Sequence, residues 1–319
     1  MKKDQTLPPG LWVVATPLGN LLDFSPRGRM ALEKAHWILC EDTRRSAQLL
    51  SSFGIAAEHR LKRLDAHTEA KQTPFWIDQL KQGASLALVS DAGTPSVSDP
   101  GSILVAHCHE QGIRVTPIPG ASSATTLLSV CGFSAQGFTF RGFFPRESSA
   151  QREEIEQARS LSASGLSVWI WFESPRRIEA ALQQIALLCD SNTAPSSFEA
   201  VAENSPVRLV VGKELTKLHE KLFVGTPSQV LAQVSQELKT SGEIGEWCFS
   251  LCFQQEKKVL SPQEDWEESQ PVFQALICLQ KASVSASETA RILSQQFGVP
   301  KNFCYQKVIQ YYQYKKTEK

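Results

Sequence analysis

The chain has 319 residues, 42% of them hydrophobic and 21% charged, with a formal net charge of +0. That length allows two domains and a small appendage. Neutrality excludes bulk charge as a means of holding a polyanion, so any nucleic-acid contact must rest on local patches. The eight cysteines include no C-x-x-C pair, and several (Cys40, Cys108, Cys131) sit in apolar runs, as expected of reduced core thiols in a cytosolic protein. The polar, short segment from Met1 to Gly10 lacks the apolar core of a signal peptide. No apolar run approaches the roughly 20 residues of a membrane span, so a soluble intracellular protein is expected.

In chain order, strand and helix alternate. The apolar run Leu11–Ala15 predicts a strand, followed by a helix around Arg27–Lys34, a strand Trp37–Cys40 and a helix around Arg44–Phe53. A helix Pro74–Lys81, a strand Leu86–Ser90, a helix Ile103–Gln111, a strand Val115–Ile118 and a helix Ser122–Val130 complete the first block. Such alternation with short turns predicts a mostly parallel sheet covered on both faces. A hinge at Cys131–Gly137 leads into an aromatic strand from Phe138, a charged helix Gln151–Ser160, a strand Val168–Phe172 and a helix Arg176–Leu188. Asp190–Pro206 reads as a surface loop, and Arg208–Val211, Lys221–Val224 and Trp247–Phe253 read as strands. The expected division is an α/β domain 1–132, a second α/β domain 133–255, a charged linker 256–271 and a small helical domain 272–319. Gly298-Val299-Pro300 resembles a helix-turn-helix corner, and from Pro300 five lysines face one acid. That basic end suits either a solvated helix or nucleic-acid contact.

Three loops of similar design follow strands: Ala15-Thr16-Pro17-Leu18-Gly19-Asn20, Ser90-Asp91-Ala92-Gly93-Thr94-Pro95 through Gly101, and Pro119-Gly120-Ala121-Ser122-Ser123. Loops at the carboxyl ends of parallel strands are where α/β sheets bind ligands. None carries G-x-G-x-x-G or a P-loop, so the argument for NAD or ATP is weak. Glu41-Asp42-Thr43-Arg44-Arg45 also follows a strand. There Asp42 or Thr43 could merely cap the next helix, or Asp42 and Arg44 could line the cleft as proton acceptor and phosphate anchor. His107-Cys108-His109 invites a metal reading, but residues two apart diverge on a helix, and no metal is expected. Trp169 and Trp171 fit a core strand better than a base-stacking platform. Ser174 and Pro175 suffice to start a helix, whereas the paired Arg176 and Arg177 there oppose the macrodipole and suggest phosphate contact. Lys213–Glu220 is dense in functional side chains, yet could be a plain solvated helix.

Taken together these runs resemble the tetrapyrrole-methylase superfamily and, within it, the ribosomal RNA small-subunit methyltransferase I family. The matching segments are Val13–Leu21, Cys40–Arg44, Ala87–Gly101, Pro117–Ser122, Gly142–Arg146, Phe172–Arg177, Glu214–Lys217 with His219-Glu220, and Gly242-Glu243. They occur in family order from Leu11 to about Phe253, and the tail from Val272 resembles the family's small helical domain more weakly. The resemblance implies a two-domain tetrapyrrole-methylase-like α/β fold with the cofactor cleft between domains and a homodimer. It also implies S-adenosylmethionine-dependent methylation of a ribose 2′-hydroxyl, on a cytidine of the 16S rRNA decoding region, in free small-subunit rRNA or the assembled 30S subunit. Carried across by motif, Pro17, Leu18, Gly19, Asp91, Ala92, Gly93, Ser122, Ser123, Phe172, Leu215, Gly242 and Glu243 should surround the cofactor. Asp42 would act as base, with Arg44 and Lys217 as oxyanion or phosphate contacts. RNA would meet Arg27, Arg29, Arg44, Arg45, Arg60, Lys62, Arg63, Arg176 and Arg177.

Asp65-Ala66-His67-Thr68-Glu69 departs from the family's His-Glu-His-Asn-Glu, keeping only His67 and Glu69. Two other readings compete: methylation of a small tetrapyrrole, and a non-catalytic ribosome-assembly or RNA-binding factor with a retained cofactor pocket.

Overall fold

The computed structural model describes residues 7–56, 59–133, 137–162, 168–190, 207–253, 275–276, 279, 284–297 and 300–317. Of the sequence expectations, the 191–206 loop, the 256–271 linker and the corner residues Gly298 and Val299 lie outside the described residues. The chain forms two compact units, Met1–Gln254 and Gln255–Lys319.

Within the first unit, a five-stranded parallel sheet is built from β1 (Gly10–Val14), β2 (Trp37–Cys40), β3 (Leu61–Arg63), β4 (Ser85–Leu88) and β5 (Val115–Ile118) in the order β3-β2-β4-β1-β5. Its strands read as unbroken apolar runs because both faces are covered. Trp12, Val14, Ile38 and Ala87 meet α1 (Pro26–Lys34) and α2 (Thr43–Ser52). Leu11, Leu39, Leu86 and Leu88 meet α3 (Glu69–Lys81) and α4 (Ser102–Glu110) on the other face. The winding therefore reverses after β3. The chain leaves β1 toward one face and its neighbour β4 toward the other, which opens a crevice above their carboxyl ends.

Two boundaries differ from expectation. β3 is not predicted, because a strand of three residues, two of them charged, carries no periodicity. α3 starts at Glu69 rather than Pro74, and Pro74 lies within its first two turns. Pro74 stands inside the helix, where its ring removes the backbone donor that would reach the Ala70 carbonyl, and the apolar face of Trp76, Ile77 and Leu80 buried against the sheet carries the helix through it.

α5 (Ser123–Val130) carries the chain to a second five-stranded sheet, ordered β6-β7-β10-β8-β9. It comprises β6 (Phe138–Phe143), β7 (Val168–Glu173), β8 (Val207–Lys213), β9 (Lys221–Gly225) and β10 (Trp247–Phe253). Only β6 and β7 are parallel; the other pairings are antiparallel. α6 (Ser148–Ser162), α7 (Ile178–Asp190) and α8 (Pro227–Ser241) cover one face, over Trp169, Trp171 and Phe249. α5 covers the other, with Ala124 and Leu127 against Ile170, Val210 and Cys248. Both tryptophans are thus core, as their alternation suggests. The sequence does not predict α8, although Thr226 and Gln229 form a capping box around Pro227 at its first position.

In the second unit α9 (Ala286–Phe297) and α10 (Lys301–Thr317) pack around Leu276, Ala290, Leu293, Cys304 and Val308. No helix among the described residues is long and apolar enough to cross a membrane.

Candidate functional site

The three loops meet over the crevice. Thr16 and Gly93 form an isolated antiparallel bridge, Thr16 N–H donating to Gly93 O at 2.8 Å and Gly93 N–H to Thr16 O at 3.1 Å. Thr94 Oγ1 donates to Ala121 O at 3.0 Å, tying in the third loop. Gly93 has φ +86, and Ser96 and Ser98 hold φ 67 and 64, a conformation that costs an L-residue energy and that the surrounding loop must enforce.

A cavity of about 450 Å³ lies here, within the first unit, lined from both sheets. Pockets of this volume accept a molecule of drug size. Leu18, Asp91, Ala92, Gly93, Ser122, Ser123, Phe172 and Leu215, all expected around the cofactor, line it. Pro17 and Gly19 flank Leu18 without joining the lining. Gly242 and Glu243 end α8 and are exposed; Gly245, Glu246, Trp247 and Cys248 take the lining position instead. The lining also includes residues that sequence reasoning did not single out: Glu41, Val97, Asp99 and Phe143.

The residues expected to do chemistry sit differently. Asp42 is the N-cap of α2: its Oδ1 accepts the Arg44 N–H at 2.8 Å, and Oδ2 meets the Arg44 guanidinium at 3.1 Å. The Arg44 guanidinium and then its backbone N–H hold the Asp42 carboxyl down at about 2. Neither Asp42 nor Arg44 lines the cavity, and the Arg44 side chain is 91% exposed. A carboxylate so acidic is a poor proton acceptor. Lys217 directs its ammonium to Glu214 Oε1 at 2.9 Å and Glu246 Oε2 at 3.2 Å, and also stays outside the lining. Lys213–Glu220 is no helix. β8 runs to Lys213, and a turn follows with Glu214 at φ 53 and Thr216 at φ 69, which presents Leu215 to the cavity.

Asp91 ties the loop after β4 to α2, accepting the Asp42 N–H at 3.2 Å and facing Arg45 Nη1 at 3.2 Å. Asp99 stands apart from the other carboxyls. Burial, reinforced by the charges of Glu41 and Asp91, pushes it up to about 6. Burial and Asp91 likewise raise Glu41. No local spacing distinguishes Asp99 from Asp91 in the sequence, since only packing decides which is desolvated.

The altered Asp65–Glu69 segment has a structural duty. Asp65 Oδ1 accepts the His67 and Thr68 backbone N–H groups at 3.0 and 2.9 Å. Glu69, buried at 3% exposure, accepts the Ile103 and Leu104 N–H groups at 2.8 and 3.0 Å, so it caps the helix that follows the Asp91–Gly101 loop.

The basic residues divide by environment. Arg60 spends its guanidinium on the carbonyls of Leu32, Ala35 and Ala56, and Arg177 on Phe144 O and Glu173, so both are structural. Arg27, Arg44, Arg45, Arg63 and Arg176 are exposed. Among the described residues no group of three potential metal ligands occurs, and His107 Nδ1 lies 2.9 Å from the Ile103 carbonyl of its own helix.

Two sheets closing on one lined cleft, with three loops bridged above it, define a methylase of the tetrapyrrole type. The profile described as "Tetrapyrrole (Corrin/Porphyrin) Methylases" matches residues 10–231. Among solved structures, diphthine synthase aligns at TM-score 0.54 and 15% identity, covering 79% of this chain and 91% of that one. Cobalt precorrin-4 methyltransferase aligns at 0.50 and 12%, covering 75% and 93%. At these identities the likeness is one of fold. Closer relatives narrow the class. A protein of Xylella fastidiosa named ribosomal RNA small subunit methyltransferase I is 39% identical over 72% of this chain and 77% of its own. Namesakes from Halalkalibacterium halodurans and Haemophilus influenzae are each 32% identical, covering 92% and 93% of this chain and 93% and 95% of their own. The chain belongs to the ribosomal RNA small subunit methyltransferase I family.

Proposed function

We propose that this methyltransferase transfers a methyl group from S-adenosylmethionine to the ribose 2′-hydroxyl of a cytidine in the 16S rRNA decoding region. The observation that carries the reading is a division of charge. Glu41, Asp91, Asp99 and Glu246 line the cavity, with Arg45, held by Asp91 at 3.2 Å, as the one basic side chain among the described lining residues, while Arg44, Arg63 and Arg176 are exposed and outside the lining. A sulfonium cofactor that also carries an ammonium is attracted by an acidic interior, and losing the methyl removes one positive charge, which favours release. RNA phosphates suit the basic exterior. Apolar Leu18, Val97, Leu215 and Phe172 fit the cofactor's adenosine and aliphatic parts, with Asp91 and the loop backbone as polar partners. A tetrapyrrole carries carboxylates of its own, which this acidic interior would repel.

S-adenosylmethionine, when bound, supplies an electrophilic methyl group. The chain's work is to hold the acceptor hydroxyl in line with it, exclude water and take up the proton. The proton-acceptor role passes from Asp42 to Asp99, the lining carboxyl whose affinity for a proton lies near neutrality. As the oxygen–methyl bond forms and the sulfur–methyl bond breaks, the hydroxyl proton goes to the Asp99 carboxylate. Lys217 acts by holding the Leu215 turn, and Arg44 by phosphate contact. A homodimer acting on the free rRNA or the assembled 30S subunit in the cytoplasm completes the reading.

The test is transfer of labelled methyl from S-adenosylmethionine to small subunits that lack the modification, followed by mapping of the label. Label on one decoding-region cytidine as a 2′-O-methyl group is expected. Cofactor binding without transfer would favour an assembly factor, and label on a tetrapyrrole instead would overturn the substrate.

A further inference from the structure

Strand β6 lies at the edge of the second sheet and carries a break in its pattern. Phe138, Thr139 and Phe140 pair in sequence with Val168, Trp169 and Ile170, but the register shifts before Phe143 pairs with Phe172. Gly142 supplies the extra residue, at φ +70. The shift has a consequence for side-chain direction. Phe140 faces the cleft side, its ring 4.7 Å from Phe172, and Arg141 faces α6, bonded to Glu154 at 2.6 Å. Simple alternation would send Phe143 to the α6 face with Arg141. The bulge returns it to the cleft face, and Phe144 takes the buried place against Trp171 and Phe249.

Phe143 is thus turned out of the core and left 62% exposed on the cavity wall. Its ring meets Phe172 edge to face, with centroids 5.8 Å apart. A phenyl ring left mostly in water forgoes the stabilisation of burial, and the bulge enforces that position. The loop bearing Asp99 is adjacent: a Cβ on Gly142 would stand 3.3 Å from Ser98 Oγ. The ring therefore borders the place where the acceptor hydroxyl would meet Asp99.

We infer that Phe143 is the stacking platform for the pyrimidine base of the nucleotide being methylated, a role that rests on the function proposed above. A flat π-face beside the acceptor site holds a nucleobase without hydrogen-bond readout and so orients the attached ribose. Arg176, exposed beyond the lining residues Ser174 and Pro175, suits the neighbouring phosphate.

The test pairs turnover with a signal that needs none. Phe143→Ala should raise KM for small subunits at least fivefold, as expected for one lost stacking contact. Affinity for S-adenosylmethionine and thermal midpoint should stay at wild-type values. Phe143→Tyr should restore KM, and Phe143→Leu, apolar but without a π-face, should not. In parallel, a short RNA carrying pyrrolo-cytidine at the target position should be quenched by the wild-type protein and not by Phe143→Ala. Wild-type KM and quenching in Phe143→Ala would overturn the platform while leaving the methyltransferase reading intact. An equal loss of cofactor affinity would overturn it by assigning the ring to the cofactor, and full activity of Phe143→Leu would reduce it to apolar contact. A wild-type protein that quenches through Phe143 but transfers no methyl would keep the platform and sink the proposed reaction.

Discussion

The Lys217 stem runs across Gly19. A Cβ built on Gly19 would stand 2.2 Å from Lys217 Cγ and 2.9 Å from Cδ. With its ammonium fixed by Glu214 and Glu246, the stem clamps the Pro17–Gly19 turn of the first sheet against the Leu215 turn of the second. Leu18 and Leu215 reach the cavity from these two turns, so the clamp sets their separation.

Gly19→Ala should therefore displace the clamp, costing about 1–3 kcal/mol of stability and weakening S-adenosylmethionine binding. Adding Lys217→Ala removes the atoms that collide. The double variant should recover part of the loss, with a coupling of about 1 kcal/mol or more in a double-mutant cycle. Calorimetry of cofactor binding and thermal unfolding of the four proteins would measure it.

Asp99→Asn should lower methyl transfer by about 10²–10⁴-fold, far more than the loss of cofactor affinity that follows from removing one of the interior carboxylates. Because the wild-type carboxyl sits at about 6, single-turnover rates should climb through that pH and level off above it. The rising limb should vanish in the variant. Asp42→Asn, by contrast, keeps an N-cap acceptor for the Arg44 N–H and loses only the exposed Arg44 ion pair, so turnover should stay near wild type.

The same carboxyl affects stability. Its folded value of about 6 lies above an unfolded value of about 3.9, so the native chain holds more protons between these limits. Stability from this group falls as pH rises through that window. Asp99→Asn should thus raise the thermal midpoint relative to wild type at pH 7.5 and lose that advantage near pH 4, by melting curves at both.

Glu69→Ala removes the carboxylate that accepts two N–H groups at the start of α4. A loss of about 1–2 kcal/mol is expected in chemical denaturation, in the range of a deleted N-cap. Glu69→Gln, which keeps an acceptor but not the charge, should lose less.

Binding to small-subunit rRNA should weaken as salt rises. Arg45→Ala and Arg176→Ala should each reduce the slope of log K against log salt by about 1. Arg60→Ala, whose guanidinium holds the Leu32 and Ala35 carbonyls, should leave the slope alone and lower stability.

Much of the first sheet is legible along the chain, because strands buried on both faces need unbroken apolar runs such as Leu11 to Val14 and Trp37 to Cys40. β3 escapes because its three residues are only partly buried, and α8 because its apolar positions lie among glutamines and serines. For the cavity, the motif loops yield Leu18, Asp91 and Leu215, while nothing local marks Asp99 within Ala87–Gly101 or Phe143 within Gly142–Arg146. Their importance comes from burial and from a bulge, and neither has a period.

The sequence by itself determined the family, the two α/β blocks and the three loops over the crevice, since apolar runs and glycine-proline turns act locally. Which charged groups face the cavity was left to the tertiary structure. Asp42 is neutralised by a neighbour two residues away, whereas Asp99 owes its raised proton affinity first to burial and then to the charges of Glu41 and Asp91, which the fold brings beside it. Desolvation and Coulomb coupling depend on distance in space, and only the folded sheets set that distance.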